Sequence, residues 1–189
     1  TITPVLFFKF VTPPTTPLMW IRWVESDTPK KHPLSFNRWV PLEKISPNIL
    51  KAVIGAEDQK FFKHKGFDWL AIEYAIKTNL TTDRKVGAST ISMQTARNVF
   101  LWQSRTWLRK LLESYFTVLI EYFWSKQRIL EVYVNVIEWG DGLFGCEPAA
   151  QTYFKHSSEN MSPVESAWMA AVLPLPRHWT IRPTPTHVQ

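Results

Sequence analysis

The sequence predicts a mainly α-helical domain. Residues 48 to 147 contain no proline, although the chain has 14, and proline breaks the interior of a helix. Within this stretch apolar residues recur three and four positions apart, as they do along one face of a helix. Several of these repeats follow a Ser, Thr or Asp that suits the first position of a helix. At 189 residues the chain is long enough to bury the core of one domain.

Each expected helix has a local signal. The first begins at Ser46, a suitable N-cap followed by proline, and its apolar face is Leu50, Val53 and Ile54. The second runs from Asp68 to about residue 80, and a polar loop follows it. The remaining helices are expected at about 89–100, 106–124, 125–136, 148–154 and 162–173.

Two of these helices carry further expectations. The stretch 115–120 is apolar on every face, so we expect it to be buried. The last helix opens with a capping box, Ser162 to Glu165, and should end before Pro174. Residues 1–45 form a Pro-rich, aromatic N-terminal segment with one short strand expected around 38–41, and residues 46–189 form the main domain.

Composition narrows the class of partner. The chain has 22 Lys and Arg against 16 Asp and Glu, a formal net charge of +6. Residues 81–110 hold one acid, Asp83, and six basic residues, which are Arg84, Lys85, Arg97, Arg105, Arg109 and Lys110. This local charge of +5 favours an anionic partner. A single cysteine, Cys146, excludes a disulfide within the chain.

Tryptophan is abundant, with ten in the chain. Trp and Arg alternate in an arrangement typical of proteins at a membrane surface: Trp20, Arg22, Trp23, Trp102, Arg105, Trp107 and Arg109. The alternative is that these aromatic side chains pack in the core.

Two carboxylates interrupt apolar helix faces. Glu57 continues the face of Val53 and Ile54, where partial loss of water suits a group that moves protons. Glu113 lies on the most apolar helix, three and four residues after Lys110 and Arg109. Either could be an ordinary structural carboxylate. Two carboxylates that flank one cleft are also what glycosidic chemistry requires, one to move a proton and one to stabilise charge.

The third helix carries a polar stripe, Thr90, Gln94 and Arg97, four and three positions apart. It follows the small residues 87–90, and free N–H groups at such an N-terminus attract phosphate. A well-capped surface helix is the alternative. His64 has no second His or Cys at ligand spacing, which argues against zinc there.

Five blocks of sequence then resemble one family, the family 51 glycosyltransferases that polymerise peptidoglycan. Residues 57–68, EDQKFFKHKGFD, match E-D-x-x-F-x-x-H-x-G, and residues 109–113, RKLLE, match R-K-x-x-E. Residues 87–98, GASTISMQTARN, match G-x-S-T-I-x-Q-Q-x-x-K-N except at Met93 and Arg97. Residues 126–135, KQRILEVYVN, match K-x-x-I-L-E-x-Y-L-N except at Val134, and residues 139–154 resemble the closing block.

The resemblance covers about residues 46 to 176 and implies a lysozyme-like fold with a core lobe and a small membrane-facing jaw, placed at about 81–110. It implies that lipid II is polymerised into β-1,4-linked glycan with inversion and release of undecaprenyl pyrophosphate. Glu57 would be the catalytic base, and Glu113 would stabilise the pyrophosphate through basic residues or a divalent cation, Mg²⁺ or Mn²⁺. No organic cofactor is expected. Glu131 would hold helices together.

The resemblance also implies which residues bind substrate. Asp58, Phe61 and His64 would shape the cleft around Glu57. The donor site would be lined by Ser89, Thr90, Gln94, Arg97, Asn98, Arg109 and Lys110. Arg97 replaces the lysine of the pattern, keeps its charge and adds a fork that binds phosphate in two places, so we expect it to be tolerated. The effect of Met93 is open.

The resemblance finally implies a setting and partners. We expect a catalytic domain on the periplasmic side of a bacterial inner membrane, with an N-terminal anchor and some C-terminal chain outside this sequence. Lipid II, the growing glycan, the membrane surface and cell-division or elongation proteins are the expected partners, and nucleic acid is not. The rival interpretations are a glycan-cleaving enzyme, a basic nucleic-acid binder and an inactive membrane scaffold. No S-x-x-K with K-T-G signature of a transpeptidase is present.

Overall fold

The computed structural model describes residues 2–26, 38–104 and 106–178. Within these ranges the chain is mainly helical, as predicted. The α-helices are α1 (Thr3–Phe10), α2 (Pro17–Val24), α3 (Pro47–Glu57), α4 (Trp69–Thr81), α5 (Ile91–Phe100), α6 (Trp107–Phe123), α7 (Lys126–Val136), α8 (Cys146–Phe154) and α9 (Pro163–Val172). Two short 3-10 helices, Leu42–Lys44 and Ser158–Asn160, and two strands, β1 (Glu138–Gly140) and β2 (Leu143–Phe144), complete it.

The helices predicted from residue 46 onward are confirmed, because their start signals are local. The side chains of Ser46, Asp68, Thr106 and Ser125 each accept a hydrogen bond from the first turn of their helices. The Ser162 capping box forms as predicted, and α9 ends before Pro174. The third predicted helix differs slightly, since Thr90 rather than Ser89 is its N-cap.

The prediction for the first 45 residues is wrong in two respects. Helices α1 and α2 were not expected, because this segment is rich in proline. The prolines within the two helices lie in the first turn, where proline is tolerated. The strand expected around 38–41 does not form. The backbone N–H and C=O of Val40 instead bond the side-chain amide of Asn135, at 2.9 Å each. Residues 27–37 of the N-terminal segment and residues 179–189 of the main domain lie outside the described residues.

A small antiparallel hairpin was also missed. β1 and β2 place Glu138 opposite Phe144 and Gly140 opposite Leu143. Gly142 makes the turn with a φ of +67°, which favours glycine. The Asp141-Gly142 pair is a recognised hairpin signal, but strands of three and two residues give no periodicity to detect.

Helix α5 occupies the centre of the fold. It packs against α6 and α7, while α2 lies on it and α1 lies on α6. Helix α3 packs instead on α9. The shared core includes Ile49, Val53, Ile91, Ala96, Ile120, Ile129, Val132 and Trp139, all fully buried. This arrangement surrounds α5, the helix of the predicted polar stripe, with α2, α6 and α7.

Helices α4 and α6 leave much apolar surface in solvent. Trp107 is 91% exposed and Leu80 is 82% exposed. The other exposed apolar side chains of the two helices are Trp69, Leu70, Tyr74, Ile76, Leu108, Leu111, Tyr115, Val118 and Tyr122. We call this set the jaw surface. The prediction that 115–120 is buried is wrong for Tyr115 and Val118, which are exposed, whereas Thr117 and Ile120 are fully buried. In the described ranges no helix has both the length and the apolar character to cross a bilayer.

Candidate active site

Glu57 is the last residue of α3 and is half-buried. The side chain of Gln94, on α5, donates a hydrogen bond from Nε2 to Oε2 of Glu57 at 2.6 Å. Tyr133, on α7, donates its hydroxyl to Oε1 of Gln94 at 3.1 Å. Glu57 therefore stands where three helices meet. It contacts a neutral donor, and its carboxylate is not consumed by an ion pair with any described residue.

The residues that follow Glu57 anchor the loop between α3 and α4. Asp58 is buried, accepts a hydrogen bond from the backbone N–H of Ile91 at 3.0 Å and contacts Nε2 of His64 at 3.0 Å. Phe61 is fully buried. Asp58 and Phe61 are thus enclosed by the protein, and the role of these residues in shaping a cleft around Glu57 stays a prediction.

The start of α5 differs from the predicted phosphate site. The N–H of Ile91 is bonded to Asp58, and the N–H of Met93 is bonded to the hydroxyl of Thr90. A carboxylate thus already occupies the positive end of this helix. The hydroxyl of Thr90 in turn donates to the carbonyl of Gly66 at 2.6 Å. The expectation of free N–H groups there is wrong for these two amides, because Asp58 arrives from a distant part of the chain and Thr90 caps the helix locally.

Arg97 and Asn98 line a cavity of about 210 Å³, the core cavity, together with Gln94 and Tyr133. Its other walls are Leu18, Arg22, Gln103, Ile137, Glu138, Leu173, Pro174 and Pro176. The Nε of Arg97 is buried and has no hydrogen-bond partner in the described part of the chain. A buried donor without an acceptor is uncommon in proteins. The core cavity therefore suits a ligand with acceptor oxygens, beside the residue that holds Glu57.

Glu113 is 0% exposed and both of its oxygens are engaged. Oε2 accepts from Nη1 of Arg109, and Oε1 accepts from Nζ of Lys110 at 2.5 Å. The predicted pairs are confirmed. The local charge of +5 was counted over residues 81–110 and does not include Glu113. The carboxylate of Glu113 balances one of the two cations that it contacts. Glu113 acts on its surroundings through Arg109 and Lys110.

A second cavity, of about 390 Å³, lies under the jaw surface between α4, α6 and the start of α5. We call it the jaw cavity. Its lining is mostly apolar and comprises Phe67, Trp69, Ile72, Ala75, Ile76, Asn79, Ala88, Ser89, Met93, Lys110 and Ser114. Met93, the residue whose role was open, is buried here. Met93 lines the jaw cavity and its neighbour Gln94 lines the core cavity, so α5 contributes to both.

The residues that are present do not form a protein-held metal site. In the ranges that the structure describes, no three His, Cys, Asp or Glu side chains are grouped to bind an ion. Both oxygens of Glu113 already accept from cations. A cation on Glu113 would have to displace one of them.

Two arginines of the Trp–Arg belt predicted from the sequence are held by carboxylates. Arg22 bonds Glu138 and Glu25, and Arg109 is buried against Glu113. Arg105 lies outside the described residues. Trp20, Trp23, Trp102 and Trp107 are exposed, but on α2, on the 101–106 connection and at the start of α6. The extended apolar face is the jaw surface instead, which reaches beyond the predicted jaw range of 81–110.

Sequence reasoning gave no site role to Tyr133, Ser92, Glu121 or Lys126. Ser92 donates to Glu121, which also accepts from Lys126 at 2.7 Å. The ammonium of Lys126 lies 4.4 Å from the centre of the Phe61 ring. Most of these contacts join residues that are far apart along the chain, so no local pattern could reveal them. Lys126 and Tyr133 lie in the block at 126–135 and Ser92 in the block at 87–98, whereas Glu121 lies in none of the five blocks.

Glu131 has the structural role expected for it. Its carboxylate accepts from Trp39 Nε1 at 3.3 Å, from the N–H of Leu42 at 3.2 Å and from Arg128. It thereby ties the segment before α3 to α7.

The comparisons with known proteins agree with this geometry. Residues 31–189 match the family model described as transglycosylase. A biosynthetic peptidoglycan transglycosylase of Bdellovibrio bacteriovorus is 55% identical over 177 residues, which are 94% of this chain and 71% of that protein. Proteins of the same name from Caulobacter vibrioides and Rhodospirillum centenum are 47% and 50% identical. Those matches cover 95% and 94% of this chain, and 76% and 75% of the relatives.

The fold and the site define a helical enzyme of the glycosyl-transfer class, with a half-buried carboxylate beside a cationic cavity. Together with the match over residues 31–189, this places the chain in the transglycosylase family, to which it belongs.

Proposed function

We propose that this protein is a peptidoglycan glycosyltransferase that polymerises lipid II into β-1,4-linked glycan strands and releases undecaprenyl pyrophosphate. The observation that carries the proposal is the position of Glu57, a carboxylate free of ion pairs among the described residues, joined through Gln94 to a cavity with an unsatisfied arginine. A base beside an anion site is what transfer from a pyrophosphate-linked sugar requires.

The proposed reaction begins at Glu57. Its carboxylate takes the proton of the acceptor sugar's 4-hydroxyl while that oxygen attacks the anomeric carbon of the donor. The bond between this carbon and the pyrophosphate oxygen breaks, and the electron pair leaves with the pyrophosphate. Attack from the face opposite the α-linked leaving group gives a β bond, hence inversion.

The basic residues would stabilise the charge that develops on the leaving group. Arg97 offers an unsatisfied Nε in the core cavity, and Lys110 lines the jaw cavity with Ser89. Glu113 holds Lys110 and Arg109 in place, which makes it a positioning residue in this proposal. Prearranged cations of this kind cost no reorganisation during the reaction.

The divalent cation expected from the resemblance stays a proposal. Its ligands would be pyrophosphate oxygens of the substrate, since the described carboxylates form no site. Removal of the cation with EDTA tests it. Partners among cell-division or elongation proteins also stay a prediction.

The jaw surface supports action at a membrane. Trp69 and Ile76 of α4 are exposed and also line the jaw cavity, and an exposed apolar patch such as the jaw surface marks an interaction site. We propose that the jaw surface enters the outer face of the bacterial inner membrane, where lipid II carries its lipid tail.

Product analysis tests the proposed function. The protein is incubated with fluorescent lipid II in detergent and, separately, with finished peptidoglycan. The proposal requires long glycan from lipid II and one undecaprenyl pyrophosphate for each disaccharide added. Soluble fragments from finished peptidoglycan, without polymer from lipid II, would instead identify a glycan-cleaving enzyme.

A further inference from the structure

A chain of two hydrogen bonds stands behind Glu57. The hydroxyl of Tyr133 donates to Oε1 of Gln94 at 3.1 Å, and Nε2 of Gln94 donates to Oε2 of Glu57 at 2.6 Å. Tyr133 is 1% exposed and its ring belongs to the core. Tyr133, Gln94 and Glu57 lie on α7, α5 and α3. The two hydrogen bonds therefore connect the buried core to the carboxylate of Glu57.

The donor and acceptor roles in these two hydrogen bonds follow from the negative charge on Glu57. An ionised carboxylate only accepts hydrogen bonds, so the amide of Gln94 must turn its NH₂ group toward Glu57. The amide oxygen then faces Tyr133, which must donate. Burial, and next the charge of Glu57, raise the pKa of Tyr133 well above its ordinary value, against a smaller opposing effect of Arg97. Tyr133 therefore keeps its proton at every working pH.

This arrangement distinguishes the two oxygens of Glu57. Oε2 is held by Gln94, while Oε1 has no partner among the residues described. With Oε2 fixed, the free oxygen is the one that can receive a proton, and its direction depends on the orientation of Gln94.

We propose that Tyr133 is a positioning residue for Glu57, acting through the side chain of Gln94, an inference that rests on the proposed function. Without the hydroxyl of Tyr133 the amide of Gln94 loses the partner that holds it on the core side and samples other orientations. The fraction of enzyme with Glu57 correctly aimed then falls, which lowers turnover more than substrate binding.

Tyr153 provides a matched control. It is also a buried tyrosine of the same core, and its hydroxyl also donates one hydrogen bond at 3.1 Å, to the carbonyl of Trp139. That bond does not reach Glu57 or Gln94. Tyr133→Phe and Tyr153→Phe each keep the ring and remove one buried hydroxyl, so they separate a general loss of stability from a loss of positioning.

The experiment measures kcat and KM for lipid II, together with the thermal unfolding midpoint, in the parent and both variants. We expect Tyr133→Phe to lower kcat about tenfold with KM changed less than about twofold, and Tyr153→Phe to keep the parental kcat. A parental kcat in Tyr133→Phe, or an equal loss in both variants, would overturn the proposal.

A double-mutant cycle tests whether Gln94 is the connection. Gln94→Ala alone should lower kcat, and adding Tyr133→Phe to it should cause no further loss, because the connection is already broken. Additive losses would overturn the proposal, since Tyr133 would then act by another route.

A readout without substrate separates this inference from the proposed function. The side-chain NH₂ signals of Gln94 in an amide NMR spectrum, assigned with Gln94→Ala, should move in Tyr133→Phe and stay in Tyr153→Phe. Absence of glycan synthesis by the parent would refute the proposed function, whereas unmoved Gln94 signals in Tyr133→Phe would refute the positioning role alone.

Discussion

Among the candidate site residues, Arg97 has the environment that most clearly indicates a binding site for an anionic ligand. Its Nε is buried without an acceptor in the described part of the chain, beside Asn98 and Gln94 in the core cavity. Leaving a buried donor unsatisfied costs about 1–3 kcal/mol. A bound pyrophosphate would supply an acceptor for this Nε.

The charge of Arg97 and its fork can be tested separately. We expect Arg97→Lys, which restores the lysine of the family pattern, to keep kcat/KM for lipid II within about tenfold. Arg97→Met removes the charge and should lower kcat/KM about 100-fold, as loss of one charge-stabilising donor does. Steady-state polymerisation kinetics measure both. Parental activity in Arg97→Met would exclude Arg97 from the donor site.

Gly66 fixes the loop beneath Glu57 against α6. It has a φ of +90°, and a Cβ there would lie 2.8 Å from Cγ2 of Thr117. Its carbonyl accepts the hydroxyl of Thr90 at the start of α5. One glycine thus sets the spacing between the loop and two helices that carry the site.

We expect Gly66→Ala to lower the free energy of unfolding by about 1–3 kcal/mol, through the close contact and the left-handed backbone. Urea unfolding measures this change. Gly55→Ala is the matched control, because Gly55 lies in α3 and a methyl group added there would meet no atom within 4 Å outside its own helix backbone. It should raise stability by about 0.5–1 kcal/mol. Equal effects of the two substitutions would contradict this role of Gly66.

The helices differ in whether a local sequence signal predicts them. Helices α3, α4, α6, α7 and α9 were predictable because each carries its own cap within a few residues. Helices α1 and α2 were not, since their prolines suggested a break where they begin a helix. Asn135 replaced the expected strand partner of Val40 from 95 positions away.

The same distinction applies to the site. The pairing of Glu113 with Arg109 and Lys110 was predictable, because they are one turn apart on α6. The bond from Gln94 to Glu57 and the blocked N-terminus of α5 depend on how helices pack, which spacing along the chain does not contain. The roles in substrate binding and catalysis stay predictions.

On the scale of the whole molecule, the jaw surface and the two cavities are arranged around one helix. The jaw cavity and the core cavity lie along α5, with Met93 in the first and its neighbour Gln94 in the second. Two of the exposed apolar side chains, Trp69 and Ile76, line the jaw cavity. A lipid-linked substrate could therefore keep its tail in the membrane while its pyrophosphate and sugars reach Arg97 and Glu57.

Vesicle binding tests the jaw surface. Combining Trp107→Ser with Leu111→Ser removes two exposed side chains of α6, and each contributes about 1–2 kcal/mol when inserted into lipid. We expect the fraction that floats with anionic phospholipid vesicles to fall at least about fivefold. Trp168→Ser is the control, because Trp168 is 55% exposed on α9, which packs on α3. An equal fall in the control would indicate non-specific adsorption.

We propose Glu57 as the base of glycan polymerisation. The most direct measurement compares the polymerisation of fluorescent lipid II by the parent, by Glu57→Gln and by Glu159→Gln, an exposed carboxylate in the 158–160 turn. We expect long glycan from the parent and from Glu159→Gln, and a loss of at least about 100-fold in Glu57→Gln, which keeps the shape but cannot take a proton. Glycan from Glu57→Gln at the parental rate would contradict the assignment of Glu57 as the base.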